Sequence, residues 1–135
     1  MKLTRGVRNC NPCNLRRSAE KFRGEVAICR DRDFKQFESM KYGVRAALCV
    51  LRTYIVLRHC TTIKSIISRW APPGDGNNTA AYIEYVCTQT GLQPGEQISW
   101  QEDYKVDKIL KAMCLIESDY TLPDIVLSSA RRLLL

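Results

Sequence analysis

The stretch Asp107-Lys-Ile-Leu-Lys-Ala-Met-Cys-Leu-Ile-Glu-Ser-Asp-Tyr120 decides how this chain reads. Val106, Leu110 and Met113 recur at helical spacing, with Ile109 beside them. Lys105, Lys108, Lys111 and Ala112 fall elsewhere on the wheel. The pattern predicts an amphipathic helix whose apolar stripe reaches Glu117 one turn later. A carboxylate at the wall of an apolar core is driven toward its protonated form by desolvation, and a general acid working near neutral pH needs that form. The competing reading is that the helix frays by Glu117 and the side chain reaches water.

Working outward, Ser99-Trp-Gln-Glu102 has capping-box spacing and should open this helix. Upstream, Asn78 or Thr79 caps a helix to about Thr90, with Ile83, Val86 and Cys87 inward and Gly91 as its stop. Thr61 or Thr62 caps a shorter helix carrying Ile63, Ile66, Ile67 and Trp70 on one face, and Pro72 and Pro73 end it. Ser39 caps a helix over 40–58 with Val44, Ala47, Leu48, Leu51 and Ile55 inward; Arg45, Arg52 and Arg58 form a solvated basic face. Gly43 in its first turn is a cost unless something packs closely on it. Thr121-Leu-Pro-Asp124 starts a last helix, with Leu122, Val126, Ser129 and Leu133 on one face.

Residues 1–37 show no helical period. Gly6, Asn9, Asn11, Pro12, Asn14 and Gly24 break them up, while Val26, Ile28, Phe34 and Phe37 supply one or two strands around a turn at Asp31-Arg-Asp33. The expected class is therefore mainly α (α+β). Residues 1–135 form a single domain, with a turn- and β-rich basic segment over 1–37 and helices over 38–135.

The 135 residues carry a net charge of +7. Lys2, Arg5, Arg8, Arg16, Arg17, Lys21 and Arg23 oppose only Glu20 in the first 23 residues. Such a surface suits a polyanion, and charge alone does not choose among nucleic acid, anionic lipid and an acidic cell-wall polymer. No nucleic-acid module is recognisable and aromatics do not interleave with the basic residues, so nucleic acid is not an expected partner. No apolar run is long enough to span a membrane. The start, Met1 to Arg8, lacks the apolar core of a signal peptide, so the chain is expected to be made in the cytoplasm. The odd number of cysteines, seven, reads as mostly reduced thiols, several of them small buried hydrophobes. Cys10-Asn-Pro-Cys13 has the spacing of a zinc knuckle or redox pair. It lacks a second such pair, and the sole histidine is His59, so a turn is expected there, with no metal and no cofactor.

Several stretches resemble a phage and prophage family. Arg5-Gly-Val-Arg-Asn-Cys-Asn-Pro-Cys-Asn-Leu-Arg16 is similar to its opening, R-G-I-R-N-N-N-P-G-N-I-R. Phe34-Lys-Gln-Phe37 and Tyr42-Gly-Val-Arg-Ala-Ala47 match its next block. Ile66-Ile-Ser-Arg-Trp-Ala-Pro-Pro73 followed by Asn78-Thr-Ala-Ala-Tyr-Ile83 is the most specific match. The family's closing E-N-G falls on Glu117-Ser-Asp119. Members are labelled virion structural or lysozyme-like proteins. Cys13 stands where the family has glycine, and would be strained if that glycine holds a positive φ.

A more distant likeness is to glucosaminidases and lytic transglycosylases. There a helix ending in Glu-Ser precedes an N-L-x-G-I-K-like strand and an aromatic stretch. Here Asn14-Leu-Arg16 and Phe34-Lys-Gln-Phe37 come first and Leu115-Ile-Glu-Ser118 comes late. The resemblance implies a lysozyme-like domain in circularly permuted order, with Glu117 beside residues 9–16. It implies a peptidoglycan-cleaving glycosidase with Glu117 as general acid. Asn9, Asn11, Asn14, Arg16, Trp70, Asn78 and Tyr82 would bind substrate. Glu25, Asp31, Asp33 and Asp75 are unranked candidates for a second carboxylate. Peptidoglycan or another anionic wall polymer would be the partner, reached from a virion or by a release route other than a signal peptide. The alternative is a non-catalytic virion or prophage structural protein that keeps the same shape.

Overall fold

In the computed structural model, which describes residues 3–135, side-chain caps at Thr4, Thr62 and Asn78 set the starts of three helices. Met1 and Lys2, which enter the expectations on export and on the basic cluster, lie outside the described residues. Six α-helices occur among the described residues: α1 (Arg5–Arg8), α2 (Met40–Arg52), α3 (Ile63–Trp70), α4 (Thr79–Thr90), α5 (Asp103–Ser118) and α6 (Asp124–Arg132). The fold is mainly α, as expected. The expected strands reduce to two isolated antiparallel bridges, Arg16 with Phe34 and Glu25 with Phe37. Ile28, an expected strand residue, is exposed. Chain contacts divide the molecule into two units: Met1–Cys49 with Cys114–Leu135, and Val50–Met113. The division falls inside α2 and inside α5, and each unit is described by itself.

In the unit Val50–Met113, Thr62 caps α3. Its Oγ1 accepts from Ser65 N at 3.1 Å, and Ser65 Oγ accepts from Thr62 N at 3.0 Å, the reciprocal pair of a capping box. Ile63, Ile66 and Ile67 are buried on the face that the spacing predicts. Asn78 caps α4 through its side-chain oxygen, which accepts from Ala81 N at 3.1 Å, and Gly91 ends it at φ 74°. α3 packs on α4. The end of the long second helix differs from expectation: after Arg52 the chain widens into a π-turn over Thr53–Leu57, where Arg58 N donates to Thr53 O at 3.1 Å. α5 begins at Asp103, later than the Ser99 signal. Only one half of that capping box forms, with Ser99 N donating to Glu102 Oε1 at 2.9 Å. Val106, Ile109, Leu110 and Met113 are buried as predicted. Ala112 is buried too, so the apolar stripe is wider than the sequence suggests.

In the other unit, Val44, Ala46, Ala47 and Leu48 of α2 are fully buried. Gly43 has a steric reason: a Cβ there would lie 1.8 Å from the Cys10 carbonyl oxygen. Gly43→Ala should therefore lower stability by about 3 kcal/mol, because a backbone carbonyl cannot rotate away as a side chain can. Equilibrium denaturation in urea checks this. Ser39 does not cap α2 as expected. Its hydroxyl is buried without a hydrogen-bond partner, while its carbonyl accepts from Tyr42 N at 3.2 Å. Arg45 departs from a solvated basic face: its Nε donates to Leu133 O at 3.0 Å, where a cation meets the carbonyl end of α6. On α6, Leu127 and Ala130 are buried, which shifts the inward face from the Val126 and Ser129 of the sequence reading. Pro123 sits at the N-cap, not inside the first turn.

The segment before α2 is held by polar side chains. Lys35 is 2% exposed; its Nζ donates to Glu25 Oε2 at 3.1 Å and to Glu20 O at 2.7 Å. Asp31 forms the predicted turn by accepting from Asp33 N and Phe34 N, each at 2.9 Å. Arg5 clamps the same carboxylate with Nε at 2.7 Å and Nη2 at 2.6 Å. Phe34 lies under two guanidinium groups, Arg5 at 4.6 Å and Arg16 at 5.2 Å from its ring centre.

Candidate active site

α5 terminates through a left-handed residue. Asp119 has φ 51°, Asp119 N donates to Leu115 O at 2.9 Å and Tyr120 N donates to Cys114 O at 3.2 Å. This left-handed closure places Glu117 and Ser118 on the last turn. Aspartate is among the few non-glycine residues that tolerate the position.

The opening segment is fastened onto that turn by polar contacts. Ser118, 1% exposed, donates from Oγ to Pro12 O at 2.8 Å. Thr4 Oγ1 donates to Ser118 O at 2.7 Å. Gly6 leaves room for the serine hydroxyl, because a Cβ there would lie 1.8 Å from Ser118 Oγ. Asn14 Nδ2 donates to Glu117 O at 3.1 Å and to Glu117 Oε1 at 3.2 Å, across 103 positions of sequence. Residues 9–16 and Glu117 are therefore neighbours. Glu117 is half-buried, neither sealed in the core nor frayed into solvent.

The other expected substrate residues divide. Asn9 and Asn11 are buried, and their amides serve the fold. Asn9 donates to Asp31 Oδ2 and accepts from Gln36 Nε2, both at 2.9 Å. Asn11 donates to Leu15 O at 3.0 Å and Lys35 O at 2.9 Å, and accepts from Leu15 N at 2.9 Å. Arg16 is exposed, stacked over Phe34. Trp70, Asn78 and Tyr82 belong to the unit Val50–Met113. There Trp70 is half-buried and meets Tyr54 edge-on at 6.1 Å, Asn78 caps α4, and Tyr82 is buried in packing.

The candidate second carboxylates divide in the same way. Glu25 is engaged by Lys35, and Asp31 and Asp33 by Arg5. Asp75 lies exposed in the loop before α4. The Arg5 hydrogen bonds hold the Asp31 carboxyl well below the usual carboxylate range; partial burial opposes them, while Asn9 and the backbone N–H groups of Phe34 and Asp33 add to them. A carboxyl group depressed in the folded state stabilises fully above its unfolded value, near pH ~4, and that contribution fades as pH falls further. Asp31→Asn should thus lower stability at pH 6, and the gap to the parent should narrow steadily below about pH 4. Denaturation midpoints across that range check it.

Cys13 shows no positive φ, so the expected strain is absent there. The left-handed non-glycine residues of this segment are Cys10 and Asn14, both at φ 52°. All seven cysteines are free, and Cys13 and Cys114 are buried as small apolar groups. No cluster of potential metal ligands occurs among the described residues. No helix there is long and apolar enough to cross a membrane. Sequence reasoning missed Thr4, Gly6 and Ser118. The Ser-Asp following Glu117 is the one local hint of a helix stop.

No family model matches the chain. It is 32% identical over 117 residues to Protein P5 of Pseudoalteromonas phage PM2, covering 84% of this chain and 71% of that protein. The phage kinship read from the sequence is thereby met. The chain belongs to the phage protein family that includes Protein P5 of phage PM2.

Proposed function

We propose that this phage-family protein is a peptidoglycan-cleaving glycosidase, with residues 1–135 acting as one lysozyme-like domain and Glu117 as the general acid. The observation that carries the reading is the contact of Asn14 Nδ2 with Glu117 Oε1. It fixes a half-buried carboxyl group at a helix end, against the segment that the permuted order calls for. In the reaction Glu117 donates its proton to the leaving glycosidic oxygen, and Asn14 holds the carboxyl group in place. Glu25 and Asp31 are taken up by internal ion pairs. This favours a route in which the N-acetyl group of the substrate, in place of a second carboxylate, stabilises the developing positive charge. Arg16 and the basic surface around it would hold an anionic wall polymer. Delivery would be from a virion or by another route to the wall.

Zymography and turbidity loss on purified peptidoglycan test the reading, and product masses distinguish addition of water from internal transfer. The second reading is a virion structural protein without activity. The internal roles of Asn9 and Asn11 favour it, because they explain those residues without a substrate. A folded protein that leaves peptidoglycan intact at every pH tested would select it.

A further inference from the structure

The Cys10-Asn-Pro-Cys13 spacing suggests a local pair, yet Cys13 Sγ lies 3.8 Å from Cys114 Sγ, 101 positions away. Both thiols are free, and the residues are 1% and 0% exposed. Both also sit on backbone that is held in place around the end of α5. Cys13 follows Pro12, whose carbonyl accepts from Ser118 Oγ, and the carbonyl of Cys114 accepts from Tyr120 N. A disulfide needs a separation of about 2 Å between sulfurs, so each has a short way to move. Burial closes both sulfurs to reagents in the intact fold, so an oxidant reaches them only when the opening turn lifts locally from α5.

We propose that Cys13 and Cys114 are a peroxide-responsive pair that closes into an intramolecular disulfide. One sulfur, as thiolate, attacks a peroxide oxygen. The O–O bond breaks, the sulfur becomes a sulfenic acid, and the departing hydroxide takes up the proton as water. The second thiol attacks the sulfenic sulfur; the S–S bond forms, the S–O bond breaks and a second water leaves. In total two thiols lose two electrons and two protons, and one hydrogen peroxide becomes two waters. Contact with Cys114, together with burial, pushes the Cys13 thiol well above its usual range, so the attacking thiolate forms only in the locally opened state and the closed pair stays reduced. The product ties the opening turn covalently to α5 one turn before Glu117. This inference does not depend on the glycosidase reading.

The test treats the full chain with hydrogen peroxide, blocks remaining thiols by alkylation and maps peptides by mass spectrometry. The expected result is a Cys13–Cys114 link that dithiothreitol reverses. Closing so long a loop should raise Tm by roughly 10 °C. Cys10→Ser should keep the link, whereas Cys13→Ser and Cys114→Ser should each lose it. A Cys10–Cys13 link, sulfinic acid on Cys13 or Cys114 without a link, or both thiols still alkylatable after the exposed cysteines have reacted would each overturn the proposal. The map of the unsubstituted chain decides the matter even where a serine variant fails to fold.

Discussion

Replacing Glu117 with glutamine is expected to cut peptidoglycan lysis by roughly 100- to 10,000-fold, the range that a positioned general acid contributes. Glutamine keeps the size of the side chain and the oxygen that accepts from Asn14 Nδ2 at 3.2 Å, so the last turn of α5 should stay closed. What it loses is the transferable proton. Tm should therefore shift by no more than a degree or two, of the order of a surface substitution. The measurement is initial lysis rate at matched protein concentration, with circular dichroism on the same samples. Equal rates for the two proteins would remove Glu117 from the chemistry and leave the structural reading. A lower rate accompanied by a collapsed Tm would instead assign Glu117 a folding role.

The second large effect concerns stability. Lys35→Met should lower the free energy of unfolding by about 3–5 kcal/mol, the usual cost of removing one partner from a buried ion pair. Lys35 is 2% exposed, and the Glu25 side chain facing it is 11% exposed, so little water remains to screen the pair. Methionine fills much of the stem volume, so the loss comes from the stranded Glu25 carboxylate and from the Glu20 carbonyl that Lys35 Nζ now serves. The Glu25 carboxylate then keeps its bond from Phe22 N at 2.6 Å and a looser ion pair with the exposed Lys21 at 3.8 Å. The double variant Lys35→Met with Glu25→Gln should recover part of the loss, because no unpaired charge is left buried. Urea denaturation of the two single variants and the double variant gives the coupling directly. Additive losses would mean that the pair is screened by solvent.

Where a helix end depends on residues within one turn of it, the sequence predicts it well. Thr62, Asn78 and Gly91 sit where their side-chain or backbone chemistry places them, because each bond spans three or four positions. Ser39 misleads because an equally local bond through its own carbonyl replaces the side-chain cap. Arg45 misleads because its partner, the Leu133 carbonyl, is 88 residues distant. The start of α5 misleads because half of a capping box can form on a bend that is not yet helical.

The sequence by itself determined the helical class, the α3 and α4 boundaries, the burial of the α5 stripe and the turn at Asp31, all of which follow from periodicity and short-range hydrogen bonding. Tertiary structure decided which polar groups serve one another. Cys13 meets Cys114 in preference to its near neighbour in the motif, Asn14 reaches Glu117, and Asn9 and Asn11 turn inward to hold the opening segment. The first two depend on how the chain ends are brought together, and the asparagine bonds close shorter loops within the opening segment. A hydrogen bond or a sulfur contact between distant residues leaves no periodic trace in the sequence, since its free energy appears only after the chain has closed the loop between them.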